Sequence, residues 1–197
     1  MKRLFVGLSI LLLFLISFPL YAGVPLDTVK ANADKVLDIL RDPKLKAPSA
    51  KEIKKGKLRA IYVNMFDEVE LSRRSLGMNW NKLNNPQRQE FVKLFEQVLE
   101  KAYADKILAY TNEKIEFTKE SMISGNLAEV RTKVITASKE IPITYRVIMN
   151  DGVWRVYDVV IENVSLVQNY RTQFNDILAR NTPEQLLEIL RKKVKEQ

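Results

Sequence analysis

The hydrophobic pattern along the chain changes period twice. Over residues 26–40, Leu26, Val29, Ala33, Val36, Leu37 and Leu40 recur every three or four positions, which predicts an amphipathic helix. Asp27 or Thr28 is placed to cap its start. Pro43 and Pro48 then interrupt the chain before a second helix over 51–66, with Ile53, Leu58, Ile61, Tyr62 and Met65 inward. A short helix follows and stops at Leu76-Gly77, where glycine supplies the left-handed terminus, and Trp80 lies just beyond. Asn85-Pro86 opens the longest helix, with Asn at the cap and Pro at the first helical position. It repeats Phe91, Leu94, Phe95, Val98, Leu99 and Ala102 on one side and extends to about Tyr110.

Beyond residue 113 the period falls to 2. Ile115 and Phe117 alternate with charges, Gly125-Asn126 turns the chain, and Val130, Thr132 and Val134 alternate with Arg131 and Lys133. A strand over 141–149 meets the hairpin signal Asn150-Asp151-Gly152, and a strand over 153–161 returns. Four antiparallel strands in one meander are predicted. In the last two strands strict alternation places Ile143, Tyr145, Val147 and Met149 on one face. The same rule groups Val153, Tyr157, Val159 and Ile161 against Trp154, Val156 and Val160. Both faces are apolar, so helices cover both or one face lines a cavity. Ser165 opens a helix with Val167, Tyr170, Phe174, Ile177 and Leu178 inward. Thr182-Pro183-Glu184-Gln185 is a capping box that opens the last, striped with Leu186, Leu187, Leu190 and Val194. Helices, a meander, then helices make an α+β fold.

Residues 1–22 have a different character. Lys2 and Arg3 precede an apolar run over 4–18, Pro19 ends it, and Leu20-Tyr21-Ala22 offers a cleavage site, the pattern of an export signal peptide. Residues 23–197 are then expected as one domain, with helices over 24–110, the sheet over 113–162 and closing helices over 165–195. An exported chain is expected in the periplasm. Without cysteine it has no disulfide to stabilise it.

The chain has neither cysteine nor histidine. That excludes a Cys nucleophile, a Ser–His pair, a His base and a Cys/His metal site. Among carboxylates, Asp67-Glu68-Val69-Glu70 reads as a charged helix start. Asp158, between Tyr157 and Val159, is the one candidate base, as in cone-shaped α+β isomerases; the alternative is a buried Asp paired with Arg. The formal charge is +8, and seven basic residues crowd positions 41–57. For an exported chain this suits anionic head groups or acidic proteins better than nucleic acid.

One stretch is specific. Val156-Tyr157-Asp158-Val159-Val160-Ile161-Glu162-Asn163-Val164-Ser165-Leu166-Val167, followed by Asn169-Tyr170-Arg171-Thr172-Gln173-Phe174, closely resembles the hallmark of the MlaC family of periplasmic phospholipid-binding, toluene-tolerance proteins. Leu76-Gly77, Trp80, Gln87-Arg88, Phe91, Phe95, Leu99, Tyr103, Leu186-Leu187, Leu190 and Lys192-Lys193 stand in the family's order. Asn163 departs from the family's usual Gly, a change that positive φ tolerates. The resemblance implies a curved four-stranded antiparallel meander, packed with six or seven helices around an apolar cavity. It implies a monomeric carrier rather than an enzyme, with no cofactor and a glycerophospholipid as cargo. Its partners would be an inner-membrane ABC transporter bearing a substrate-binding ring and an outer-membrane lipoprotein–porin complex. Some relatives are linked with hopanoids, which keeps another envelope lipid open as cargo. From the strand pattern the candidate cavity walls are Ile143, Tyr145, Val147, Tyr157, Val159 and Ile161, opposed by Phe91, Phe95 and Leu99 of the long helix, each equally readable as core. Asp158, Tyr170, Arg171 and Phe174 read as structural members of the motif, with Arg171 expected to pair a carboxylate such as Asp158.

Overall fold

The structure is a computed structural model and describes residues 24–109 and 112–196. The leader expected over residues 1–22, and Tyr110 at the expected end of the long helix, lie outside the described residues.

Helix α1 (Pro25–Arg41) carries Pro at its start and buries Val29, Ala33 and Leu37 at four-residue spacing. Two short 3-10 turns lead to α2 (Lys51–Met65), in which Met65 is the buried residue. Asp67 caps α3 (Glu68–Leu76), accepting from Glu70 N at 2.9 Å, and Gly77 with φ +56° closes it. Helix α4 (Asn85–Leu108) starts one residue earlier than its sequence suggests. Asn84 accepts from Gln87 N at 2.9 Å, and Gln87 Oε1 accepts from Asn84 N at 3.1 Å. That reciprocal box needs Gln three residues after the cap, which Asn84 satisfies and Asn85 does not.

The strands β1 (Lys114–Ser124), β2 (Leu127–Ile135), β3 (Glu140–Asn150) and β4 (Val153–Ile161) pair in sequence order, all antiparallel. Asp151 and Gly152, both at positive φ, make the tight turn between β3 and β4. The sheet has one strand more than expected. Glu162 (φ +48°) and Asn163 (φ +68°) turn the chain back into the two-residue β5 (Val164–Ser165), which pairs Ile161 with Val164. Farther along, the outer edge of β4 is covered by the α2–α3 link, where Asp67 N donates to Val156 O at 2.9 Å. Helices α5 (Leu166–Leu178) and α6 (Pro183–Glu196) complete the chain.

Bulges bend the sheet. Thr118 is unpaired in β1, and Tyr157 is the extra residue in β4, since Asp158 pairs with Arg146 and Val156 with Val147. The bulge breaks the alternation on which the sequence grouping rested. Val159 faces with Tyr145, yet Val156, three residues away, faces with Val147. Val156 and Trp154 therefore join the face of Val147, Val159 and Ile161, and Tyr157 leaves it. The Tyr157 ring lies instead under the Arg74 guanidinium of α3, at 4.0 Å.

Two apolar clusters result. One is helical, built from α3 through α6 around Phe91, Phe95, Phe174, Leu186 and Leu187. The other joins the concave face of the sheet to Val29 of α1 and Met65 of α2. Phe66 packs against both.

Candidate functional site

The concave face has two halves of different character. Toward the Asn150 end, Ala128, Val130, Val147, Trp154, Val156 and Val159 are buried, seated under Val29 and Met65. Toward the Glu140 end, Ile115, Phe117, Val134, Ile141, Ile143, Tyr145 and Ile161 share the same face but are only half-buried. A strand set this apolar and this incompletely covered is an unfinished interface. Desolvation pushes the Tyr145 phenol up to about 12, while the residue as a whole is only half-buried. The half-covered strip around Tyr145, between the strands and helices α1 and α2, forms a shallow recess.

Val29 of α1 and Met65 of α2 rest directly on the strands at the inner end of the recess. Grooves of about 310 and 320 Å³ lie elsewhere, one between residues 45–54 and the end of α4, the other beside β5 and α5. The wall helices differ in how firmly they are held. Leu26 N of α1 donates to Glu120 Oε2 of β1 at 2.7 Å, and Lys30 lies over the Phe117 ring at 5.8 Å. Along α2, by contrast, Ile53 and Val63 are exposed and Leu58, Ile61 and Tyr62 half-buried. Its polar fastening includes Arg59 on Glu96 of α4 at 2.8 Å. Beside it, Glu68 Oε1 is buried without a hydrogen-bond partner among the described residues. Burial, with help from Glu96 and Asp67, raises the Glu68 carboxyl above the ordinary range.

The structure brings Ile143, Tyr145, Val147, Val159 and Ile161 together on the concave face. It does not bring Phe91, Phe95 and Leu99 to them. These line the helical cluster, where the Phe91 and Phe95 rings each meet Phe174 at 5.2 Å and Phe95 meets Tyr170 at 4.8 Å. The physical reason lies in α5 and α6, whose own stripes face α4 and leave no room for the sheet. Among the described residues Arg171 pairs no carboxylate. Its Nε and Nη2 donate to Arg74 O at 2.8 and 2.6 Å, closing the last turn of α3 beside Gly77. Asp158 is held by three donors, Arg146 Nη1 at 3.1 Å, Ser165 Oγ at 2.6 Å and Val167 N at 3.0 Å. It joins β4 to the start of α5 and is 1% exposed. The wall residues missed by pattern are Val130, Ala128, Phe117, Trp154 and Val156; only the unseen bulge concealed the last two.

The MlaC family model, described as MlaC protein, matches residues 30–192. The chain belongs to the MlaC family. It is similar to the toluene tolerance protein ttg2D of Pseudomonas putida, 26% identical over 176 residues, which is 87% of this chain and 82% of that protein. It is also similar to the intermembrane phospholipid transport system binding protein MlaC of Haemophilus influenzae, 30% identical over 99 residues, covering 48% of this chain and 46% of that protein. Its fold matches a phospholipid-binding protein from Ralstonia solanacearum, solved in complex with a phospholipid, with a TM-score of 0.80. That match has 23% identity and covers 88% of this chain and 98% of the other. The hallmark of this MlaC-family chain therefore has a visible structural content. Its Asp ties the sheet to α5, and its Tyr, Arg and Phe tie α5 to α3 and α4.

Proposed function

We propose that this chain is a phospholipid carrier, holding acyl chains between the concave face of the sheet and helices α1 and α2. The observation that carries the reading is the half-covered apolar row Ile115, Phe117, Ile143, Tyr145 and Ile161, continuous with a buried apolar floor. Each methylene kept from water is worth ~0.8 kcal/mol, so ten left exposed cost on the order of 8 kcal/mol and would stall extraction from a bilayer. The recess must therefore widen, and α2, with Met65 its buried residue, is the wall that yields. The names of the relatives, toluene tolerance and intermembrane phospholipid transport, support the same reading.

The finer reading follows from it. Residues 1–22 direct export, residues 23–197 act as one periplasmic domain, and the carrier moves lipid as a monomer between an inner-membrane ABC transporter and an outer-membrane lipoprotein–porin complex. An enzyme reading is disfavoured because Asp158, the candidate base, has its oxygens occupied by three donors. Native mass spectrometry of gently purified protein tests the proposal. An added mass equal to a diacyl phospholipid is expected. Protein that is lipid-free and also takes no lipid from vesicles overturns it, and a hopanoid mass redirects it to another cargo.

A further inference from the structure

The net charge of the chain is concentrated in one segment. Residues 24–197 carry a net charge of +6, and the seventeen residues 41–57 alone carry seven basic and two acidic side chains, a net of +5. In the fold these residues form the link between α1 and α2 and the first half of α2. Within that half Lys51, Lys57 and Ile53 stand exposed, and Ile53 has 59% of its surface accessible. Lys46, Lys51 and Lys54 line a groove of about 310 Å³ whose other walls include Leu45, Pro48 and Leu108. Its one carboxylate, Asp105, is 3.5 Å from Lys51, and Glu52 is 3.4 Å from Lys55. Among the described residues the ammonium groups of Lys44, Lys46, Lys54 and Lys57 have no ion pair.

This basic segment adjoins the open half of the recess. Arg41 Nη2 donates to Glu113 O, next to the first residue of β1, and Ile115 two residues on begins the half-buried row. Six of the seven cations are lysines, compact charges on flexible stems that suit a diffuse anionic surface better than a fixed carboxylate geometry. An exposed isoleucine among them suits a surface with an apolar layer beneath its charge.

We propose that residues 41–57 dock the protein on an anionic phospholipid membrane, with the open end of the recess turned toward the bilayer. The docking face is independent of the carrier reading; only its use for loading rests on that reading. The charge would orient the molecule before contact, and Ile53 would enter the interface.

Flotation of the purified chain with vesicles tests this. Binding is expected to vesicles of mixed phosphatidylglycerol and phosphatidylcholine, and not to phosphatidylcholine alone. It should disappear at 1 M salt, where charges are screened beyond ~3 Å. Each of Lys44→Gln, Lys46→Gln, Lys54→Gln and Lys57→Gln should weaken partitioning about fivefold, and the quadruple variant should abolish it while keeping its thermal melt. Equal binding to neutral vesicles, no binding to either, or a quadruple variant that binds like its parent overturns the proposal. Lipid content measured on the same samples separates the two readings. Protein that carries lipid but ignores anionic vesicles refutes docking alone, and protein that docks but never carries lipid refutes the carrier alone.

Discussion

Val147 and Ile143 lie four residues apart on β3 and point to the same face, yet they should answer one perturbation in opposite ways. Val147 is 1% exposed under Val29 and Met65. A glutamate there is fully desolvated among the apolar side chains that cover Val147, which raises a carboxyl pKa by about 3–5 units. At ~1.36 kcal/mol per unit that is about 4–7 kcal/mol at neutral pH, beyond the ~1.5–3 kcal/mol lost with the valine. A domain stable by about 5–15 kcal/mol has little left. Ile143 is half-buried, opposite Thr132 and Ile161. A glutamate there reaches water, and its cost is mainly lost apolar burial, about 1–2 kcal/mol. The expected result is that Val147→Glu unfolds in mild urea at pH 7, while Ile143→Glu stays folded and loses its lipid. The sign of the pH effect follows. The native pKa of the new Val147→Glu carboxyl is raised, so its penalty is full above that pKa and vanishes below the unfolded carboxylate value of about 4.3, and this variant should regain stability on acidification. Urea melts by circular dichroism, run beside phospholipid assays, read both outcomes. A Val147→Glu protein as stable as its parent would refute the packed half, and a folded Ile143→Glu protein with normal lipid content would refute the open one.

Arg171→Gln removes the two charged donors on Arg74 O and should cost about 1.5–3 kcal/mol in a urea melt, with Arg171→Lys restoring only part of it. Glu68→Gln should raise the melting temperature at pH 7, because burial raises the native Glu68 carboxyl pKa and the ionised form destabilises above it; the gain should fade as pH falls below the ordinary carboxylate range, and a gain unchanged by pH would contradict this cause. Glu162→Asn should stabilise by up to ~1 kcal/mol, since asparagine accepts the left-handed backbone that Glu162 holds at φ +48°; a lower urea midpoint would show that the 3.5 Å Lys139 contact outweighs the strain.

The sequence made the elements readable because their signals are local. Helix stripes, the Asn150-Asp151-Gly152 turn and the capping box at Thr182 each lie within one element, and the structure places the turn and the box where the pattern does, while Ile53, expected inward on α2, is exposed. What escaped depends on contacts far apart in sequence. The bulge at Tyr157 has no local mark, since it arises where Asp67, ninety residues earlier, meets the edge of β4. One extra residue is enough to exchange Tyr157 for Val156 and Trp154 on the wall. The stripe of α4 showed that Phe91, Phe95 and Leu99 are buried, but a stripe names no partner, and α5 and α6 competed for it with the sheet. Arg171 was legible as a structural cation of the motif, expected on a carboxylate; its acceptor is a backbone carbonyl, which sequence cannot display.

The division into two apolar clusters bears on how a carrier both holds and releases a lipid. A bilayer already buries the acyl methylenes, so moving them into an apolar recess changes their exposure little, and the large hydrophobic term nearly cancels. What remains is the cost of parting the recess from its own walls. That cost is modest, because it involves chiefly Val29 of α1 and Met65 of α2, each worth at most about 1.5–3 kcal/mol when fully exposed, and a bound acyl chain would cover them again. The helical cluster, held by Phe91, Phe95, Phe174 and the Arg171 cap, shares only Phe66 with the sheet cluster among the described residues and need not be disturbed. A protein whose single core were also its binding site would put its fold at risk in every cycle of loading. On the proposed reading, stability and exchange rest on different residues, so the recess would collapse on its own walls without lipid and open with it while the rest of the chain stays packed.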